Sequence, residues 1–531
     1  MIGSYKLPTA STFPLTIAEV WQERCEKTPD KIFLAQADRQ VTYREFDELS
    51  EHAAKFLDKL QLTAGDVVAV QMATCMTEVQ LIIACLKRKI TVLPLNPHLD
   101  QEEAVALIGR FQPDLIVTQA DGRNSLSFEN ISQIDYMTNR TKLNQVPLIL
   151  LEPTNKSNEE HVKPAPAVIL CTSGTTSYSK GVMLSNQNVL YSELQFNRMY
   201  GIESGDVQIL PSGLYHAIGF HHGLVSTILA GSTLVLMQRY SVEGLQRLIN
   251  RYYCTYLVTV PTVIYDILGW FKQPSTLTRV ISGGARLGDD MMQKAKEVGL
   301  PVYNIYGLTE SAPFLCTSPA YFKMKQGETT AGFPIDGVQV KLMDERQRQI
   351  TAANRIGQIA VRGPVVFSGY YHDEAETKKA LSLDGWFQTG DLGHWNDDDA
   401  LEVDGRSKDM IIRGGENISA YIIEQKLLHH PGIKEAAVVG LKNSRLGEII
   451  GAFVVMQPDY LPLTLTQVKQ FFEKTDVAKK FWPEKLTVVA TLPKTGSGKV
   501  RKHLLAKMVE HGHLEYEQPM RHVSGDSGWG R

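Results

Sequence analysis

Two short stretches concentrate residues suited to handling phosphate. The first, Cys171-Thr-Ser-Gly-Thr-Thr-Ser-Tyr-Ser-Lys-Gly-Val182, directly follows the apolar run Ala167-Val-Ile-Leu170, the pattern of a buried strand. Short hydroxyl side chains, a glycine and a lysine in a tight loop supply backbone and side-chain donors that can wrap a polyphosphate. An ordinary surface loop has a similar composition, so this stretch alone leaves both readings open. The second is Gly496-Ser-Gly-Lys499, a lysine closing a glycine-rich turn. Neither fits G-x-x-x-x-G-K-[ST]: at the second, Val500 stands where a magnesium-binding hydroxyl belongs, which argues against a P-loop kinase.

Further motifs stand in order along the chain. They are Asn304-Ile-Tyr-Gly-Leu-Thr-Glu-Ser311, Gly385-Trp-Phe-Gln-Thr-Gly-Asp391, Gly405-Arg-Ser-Lys-Asp-Met-Ile-Ile-Arg-Gly-Gly-Glu-Asn417 and Pro493-Lys-Thr-Gly-Ser-Gly-Lys499. With the Thr172–Lys180 loop they resemble the motifs of the adenylate-forming superfamily: acyl-CoA synthetases, peptide-synthetase adenylation domains and luciferase. The match is nearest to AMP-forming acyl-CoA or aryl-CoA ligases. It spans most of the chain.

The resemblance implies a ligase that activates a carboxylic acid, fatty or aryl, as an acyl-adenylate and passes it to a thiol, that of coenzyme A. The alternative acceptor is the phosphopantetheine of an acyl or aryl carrier protein. It also implies ATP and Mg²⁺ as cofactors. Thr172, Ser173, Gly174, Thr175, Thr176 and Lys180 would cradle the ATP phosphates, and Tyr306 would stack near adenine. Thr309 would touch the α-phosphate, while Glu310 would hold the magnesium ion, a hard cation suited to carboxylate oxygens. Asp391 would accept from the ribose hydroxyls, with Arg406 beside it. Lys499 would be the catalytic cation that offsets repulsion between the carboxylate and the α-phosphate. Outside this setting each of these residues has a plain reading as a turn, core or solvated side chain.

The acid would lie against Tyr215, His216, Gly283, Gly284, Ala285 and Gly307, with His216 gating its carboxylate end. Amino-acid-activating relatives carry an aspartate at that histidine, and hydroxybenzoate-activating ones an asparagine. The neighbouring His221 and His222 receive no role. Arg413, Gly414 and Gly415 would border the thiol tunnel, where glycines let backbone approach the thiol arm closely. Lys408 stands at the expected hinge. The chain departs from the family pattern at Ser177, Ser179 and Asn186, where glycine, proline and histidine are usual. A positive φ at position 177 would cost a serine roughly 1 kcal/mol and weaken ATP binding. An oxygenase of the luciferase type and a non-catalytic binding module are the remaining rivals; loss of Glu310 or Lys499 would favour the latter, and both are present.

The elements that must position these residues alternate. Thr42 with Glu45 forms a capping box before apolar positions at helical spacing, Phe46, Leu49, Ala53, Phe56, Leu57 and Leu60. Strand-like and helix-like segments then follow one another to Thr118, the signature of a parallel sheet covered by helices. The alternation returns from Ala167 to Ile305, which suggests a second α/β unit. Beyond Thr329, short strands between Gly, Asp and Asn turns suggest a small β subdomain, and an α/β piece follows from Ser407. The expectation is an α/β fold: a large N-terminal AMP-binding domain over 1–406 and a smaller, mobile C-terminal domain over 407–531.

The composition is that of a globular protein, with 531 residues, 43% hydrophobic and 21% charged. A net charge of -3 argues against a nucleic-acid partner, because phosphate-backbone binding needs concentrated basic surface. No apolar run is long enough to span a bilayer, and six scattered cysteines without CxxC spacing read as reduced thiols. A cytoplasmic enzyme is expected.

Overall fold

The computed structural model describes residues 16–99, 101–119, 136–143, 146–154, 162, 164–172, 179–273, 275–318, 330–414, 416–475, 477–494 and 500–510. The chain divides into two compact units. The larger spans Met1–Thr389 and Gly393–Val403, and the smaller Gly390–Leu392 and Asp404–Arg531.

Among the described residues the larger unit holds two sheets and most of a third. One is parallel at its centre, where Val67–Gln71 lies between Thr91–Leu95 and Leu115–Gln119. Every residue of the strands Val67–Gln71 and Thr91–Leu95 is buried, because a parallel sheet covered on both faces has no solvent side. The helix Tyr43–Lys59 starts on the expected capping box, with Thr42 accepting from Glu45 N and Glu45 returning to Thr42 N. It buries Phe46, Ala53, Ala54 and Leu57 on one face. Phe46 and Tyr43 close an aromatic cluster with Trp21 and Phe33, ring centroids 4.8 to 6.1 Å apart.

The second sheet runs parallel through Thr233–Leu236, Val207–Leu210, Tyr256–Thr259, Arg279–Ser282 and Val302–Tyr306. Two pairings cross the division read from sequence. Ile32–Gln36, from the start of the chain, joins this second sheet beside Thr233–Leu236. Val168–Cys171, expected to open the second unit, instead joins the first sheet through Val92 and Val168. Hydrophobic period identifies a strand but carries no information on its partner, which long-range packing selects. The third sheet is antiparallel, with Gln339–Met343 on Gly357–Arg362 followed by Phe387–Trp395 and Leu401–Arg406, as the turn-rich texture beyond Thr329 anticipates.

In the smaller unit Gly447–Met456 pairs with Ile433–Asn443, Met410–Arg413 and Lys485–Val488. The helices Ala420–Leu428 and Leu465–Lys474 contribute Ile423, Leu427, Val468 and Phe472 to its core. The mixed α/β architecture expected from the sequence is therefore present. No described helix is long and apolar enough to cross a membrane.

Candidate active site

The Thr172–Lys180 loop joins two adjacent antiparallel strands, Val168–Cys171 and Gly181–Leu184. Thr172 N donates to Lys180 O at 2.9 Å and Lys180 N returns to Thr172 Oγ1 at 3.1 Å, which ties the loop's two ends together. Ser173, Gly174, Thr175, Thr176 and Ser177 lie outside the described residues. Of the departures from the family pattern, Asn186 has a clear local role. It opens the helix Asn186–Tyr200 and its Oδ1 accepts from Ile17 N at 2.8 Å.

Lys180 is held on two sides. Its Nζ is 2.5 Å from Glu376 Oε2 and lies 4.6 Å from the centroid of the Tyr370 ring. Lys180, and then Lys379, hold the Glu376 carboxyl down at about 2. Tyr370 in turn donates its hydroxyl to Glu310 Oε1 at 2.9 Å. Glu310 sits in the turn Thr309–Ser311, whose carbonyl at Glu310 accepts from Phe367 N at 2.9 Å. The turn begins at Gly307, where a Cβ would come 2.1 Å from Pro313 O, so no side chain fits. Tyr306 ends the strand Val302–Tyr306 just before it.

Two of the expected residues, Lys180 and Glu310, thus meet around a third, Tyr370, that no motif marked. Neither Tyr370 nor Glu376 stands in a recognisable pattern. They arrive because the short strand Gly369–Tyr370 pairs with Met183 and Val182, next to the Thr172–Lys180 loop.

The expected acid-binding residues other than Gly307 lie on two further segments of the same unit. The rings of Tyr215 and His216 are 4.4 Å apart, between centroids. His216 N donates to Gly213 O, and Phe220 N to His216 O, which leads into a π-helix over Ile218–Val225. Gly219 packs on the backbone of Gly213, where a Cβ would stand 2.1 Å from the carbonyl oxygen. Gly283 is fixed by its N–H to Thr259 O at 3.0 Å, with Gly284 at φ 82° beyond it, then Ala285.

In the smaller unit Asp391 is buried and its Oδ1 is 2.9 Å from Arg406 Nε. Ser407 Oγ donates to Gly390 O, and Lys408 occupies the short turn Ser407–Asp409. Arg413 Nε pairs with Glu484 Oε1 at 2.5 Å, and Gly414, at φ 59°, donates to Leu446 O. Gly415 and Lys499 lie outside the described residues. The chain segments flanking Lys499 approach each other through a Lys494–Val500 bridge and an Arg501 N to Pro493 O hydrogen bond of 2.7 Å.

Comparison with known proteins places the chain in a family. The AMP-binding enzyme pattern matches residues 21–371 and that of the AMP-binding enzyme C-terminal domain matches 422–499. The chain belongs to the AMP-binding enzyme family. It is 30% identical to the medium-chain fatty-acid–CoA ligase of Escherichia coli (strain K12), over 93% of this chain and 90% of that one. It superposes on o-succinylbenzoate CoA synthetase from Bacillus subtilis in complex with the acyl-adenylate intermediate with a TM-score of 0.81 and 26% identity, covering 92% of this chain and 97% of that chain. The same synthetase with ATP and magnesium ion also gives 0.81, at 26% identity, with coverage of 92% and 98%.

Proposed function

We propose that the chain is an AMP-forming acid–CoA ligase. Its acid carboxylate attacks the α-phosphorus of ATP, pyrophosphate leaves, and the coenzyme A thiolate then attacks the acyl carbonyl with departure of AMP. The observation that carries this is the Glu310–Tyr370–Lys180 arrangement beside the phosphate loop, in a chain of the AMP-binding enzyme family. One aromatic ring holds a carboxylate at its hydroxyl and a cation at its face, a donor set suited to a phosphate chain and its counter-ion.

Tyr370 engages Glu310 Oε1 and leaves Oε2 to a hard cation, so the residues fit magnesium, which would neutralise charge on the ATP phosphates. Lys180 with Thr172 to Thr176 binds phosphate oxygens, Tyr306 bounds the base and Thr309 the α-phosphate. Asp391, paired with Arg406, accepts from the ribose hydroxyls. Lys499 supplies the cation for adenylation. His216 with Tyr215 receives the carboxylate end of the acid, whose body lies along Gly283, Gly284, Ala285 and Gly307. Arg413, Gly414 and Gly415 border the path of the thiol, and Lys408 is the hinge between domains spanning 1–406 and 407–531.

The acid is a fatty or aryl carboxylic acid, as the named activities of the two relatives suggest. A cytoplasmic location is supported by the six free cysteines. The test is a panel of octanoate, palmitate, benzoate and o-succinylbenzoate with ATP and magnesium, with and without coenzyme A, and products weighed by mass spectrometry. Acyl-CoA with equal pyrophosphate and AMP is expected; pyrophosphate without acyl-CoA would move the acceptor to a carrier protein.

A further inference from the structure

The helix Asn186–Tyr200 carries two pairs of polar residues at i, i+4 spacing, which stacks each pair on one face. Asn188 and Ser192 form the first pair. Asn188 Nδ2 donates to Pro364 O at 2.7 Å and Val366 O at 2.9 Å, fixing the segment whose next residue, Phe367, holds Glu310 O. The Ser192 hydroxyl donates to Ala312 O, at the left-handed residue that ends the Thr309–Ser311 turn. Both grip the segment bearing Glu310.

Glu193 and Asn197 form the second pair, and they grip the π-helix that follows His216. Glu193 Oε2 is 3.0 Å from His222 Nδ1, and Glu193 Oε1 is 3.7 Å from His221 Nδ1. Asn197 exchanges hydrogen bonds with Ser226 at 2.9 and 2.5 Å. His222 also stacks on Phe196 with centroids 4.2 Å apart. A final contact joins the two pairs, because the Ser192 hydroxyl shares its proton with Glu193 Oε1 at 3.1 Å. Ser192, Glu193, His221 and His222 are all fully buried.

Stability alone does not require such a cluster, since well-packed apolar residues in place of buried polar groups are often as stable or more so. Directional hydrogen bonds instead specify one geometry where apolar packing tolerates sliding. A π-helix is itself rare and frequent at functional sites. We propose that Glu193 is a positioning residue that locks the acid-binding turn at His216 to the ATP-binding turn at Glu310, so that acid and nucleotide are held in register. The coupling runs from His222 through Glu193 and Ser192 to Ala312. It rests on the roles proposed above for His216 and Glu310.

The experiment measures acid-dependent exchange of pyrophosphate into ATP, with octanoate as probe, or o-succinylbenzoate where the panel selects the aryl class. KM values for acid and ATP are read separately, with near-ultraviolet circular dichroism as a check on folding. His222→Leu should raise the acid KM about tenfold and leave the ATP KM within about twofold, and Ser192→Ala should do the reverse. Glu193→Leu should raise both, whereas Glu193→Gln, which keeps an oxygen acceptor, should stay within about threefold of wild type. If Glu193→Leu does not fold, the split between the two flanking variants decides. Unchanged KM values in folded Glu193→Leu, or no split between His222→Leu and Ser192→Ala, overturn the coupling. His216→Ala and Glu310→Gln run alongside. Exchange retained in both would overturn the proposed roles themselves, while its loss in both with no split removes only the coupling.

Discussion

The Tyr370 hydroxyl donates to Glu310 Oε1 at 2.9 Å while the same ring carries Lys180 Nζ on its face, 4.6 Å from the centroid. The carboxylate and the ammonium are thus organised by one side chain without a direct ion pair between them. Each keeps capacity for a further partner, as a site for metal and phosphate requires.

Removing the hydroxyl alone should loosen Glu310 and leave the cation–ring contact in place. Tyr370→Phe is expected to raise the KM for magnesium-ATP about tenfold, the value of one hydrogen bond to a charged group, with the acid KM unchanged. Steady-state pyrophosphate release measures both, and a change confined to the acid KM would contradict the arrangement.

Glu376 holds Lys180 at 2.5 Å with both side chains about one-fifth exposed, and under the proposed function it competes with phosphate for that lysine. A partly exposed pair is worth no more than about 1 kcal/mol, so Glu376→Gln should lower the ATP KM by about two- to fivefold. A raised KM would mean that Glu376 orients Lys180 productively.

Glu78 is wholly buried in the first turn of the helix Met76–Lys87, and burial lifts its carboxyl from 4.5 to about 8. The helix dipole at that end favours the charged form by at most ~2 kcal/mol and is outweighed by burial. The folded chain then binds a proton that the unfolded chain releases between those two values. The contribution to stability is full below about pH 4.5 and falls by up to ~1.4 kcal/mol per pH unit as pH rises towards 8. Glu78→Gln should leave Tm nearly unchanged near the acidic end of this window and raise it above the alkaline end. Thermal unfolding across the window checks the sign.

Asp391 is 7% exposed beside Arg406, which is 42% exposed. Asp391→Asn should lower kcat/KM for ATP roughly ten- to a hundredfold by removing a charged acceptor. Arg406→Ala should cost less, because water screens the remaining charge from that side. Equal effects on exchange kinetics would contradict this ordering.

What the sequence made legible was local. The capping box at Thr42 and Glu45 and the apolar runs from Val67 and Val302 are each written within a few neighbouring residues, and the structure builds them so. Tyr370 and Glu376 were not legible, because they reach Lys180 through pairing of Gly369–Tyr370 with Val182 and Met183, far away in the chain. The same holds for Ile32–Gln36, drawn into the second sheet by Leu234 and its neighbours. His221 and His222 read as ordinary core or surface histidines, since Glu193 lies on another helix and nothing in their own spacing points to it.

The most direct test of adenylation follows the acid's oxygen. Protein incubated with ¹⁸O-carboxylate-labelled acid, ATP, magnesium and coenzyme A is predicted to leave one labelled oxygen in AMP, because the acid oxygen bonded to the α-phosphorus departs with it when the thioester forms. Label in inorganic phosphate together with ADP, or acyl-CoA formed without label in AMP, would contradict an acyl-adenylate route.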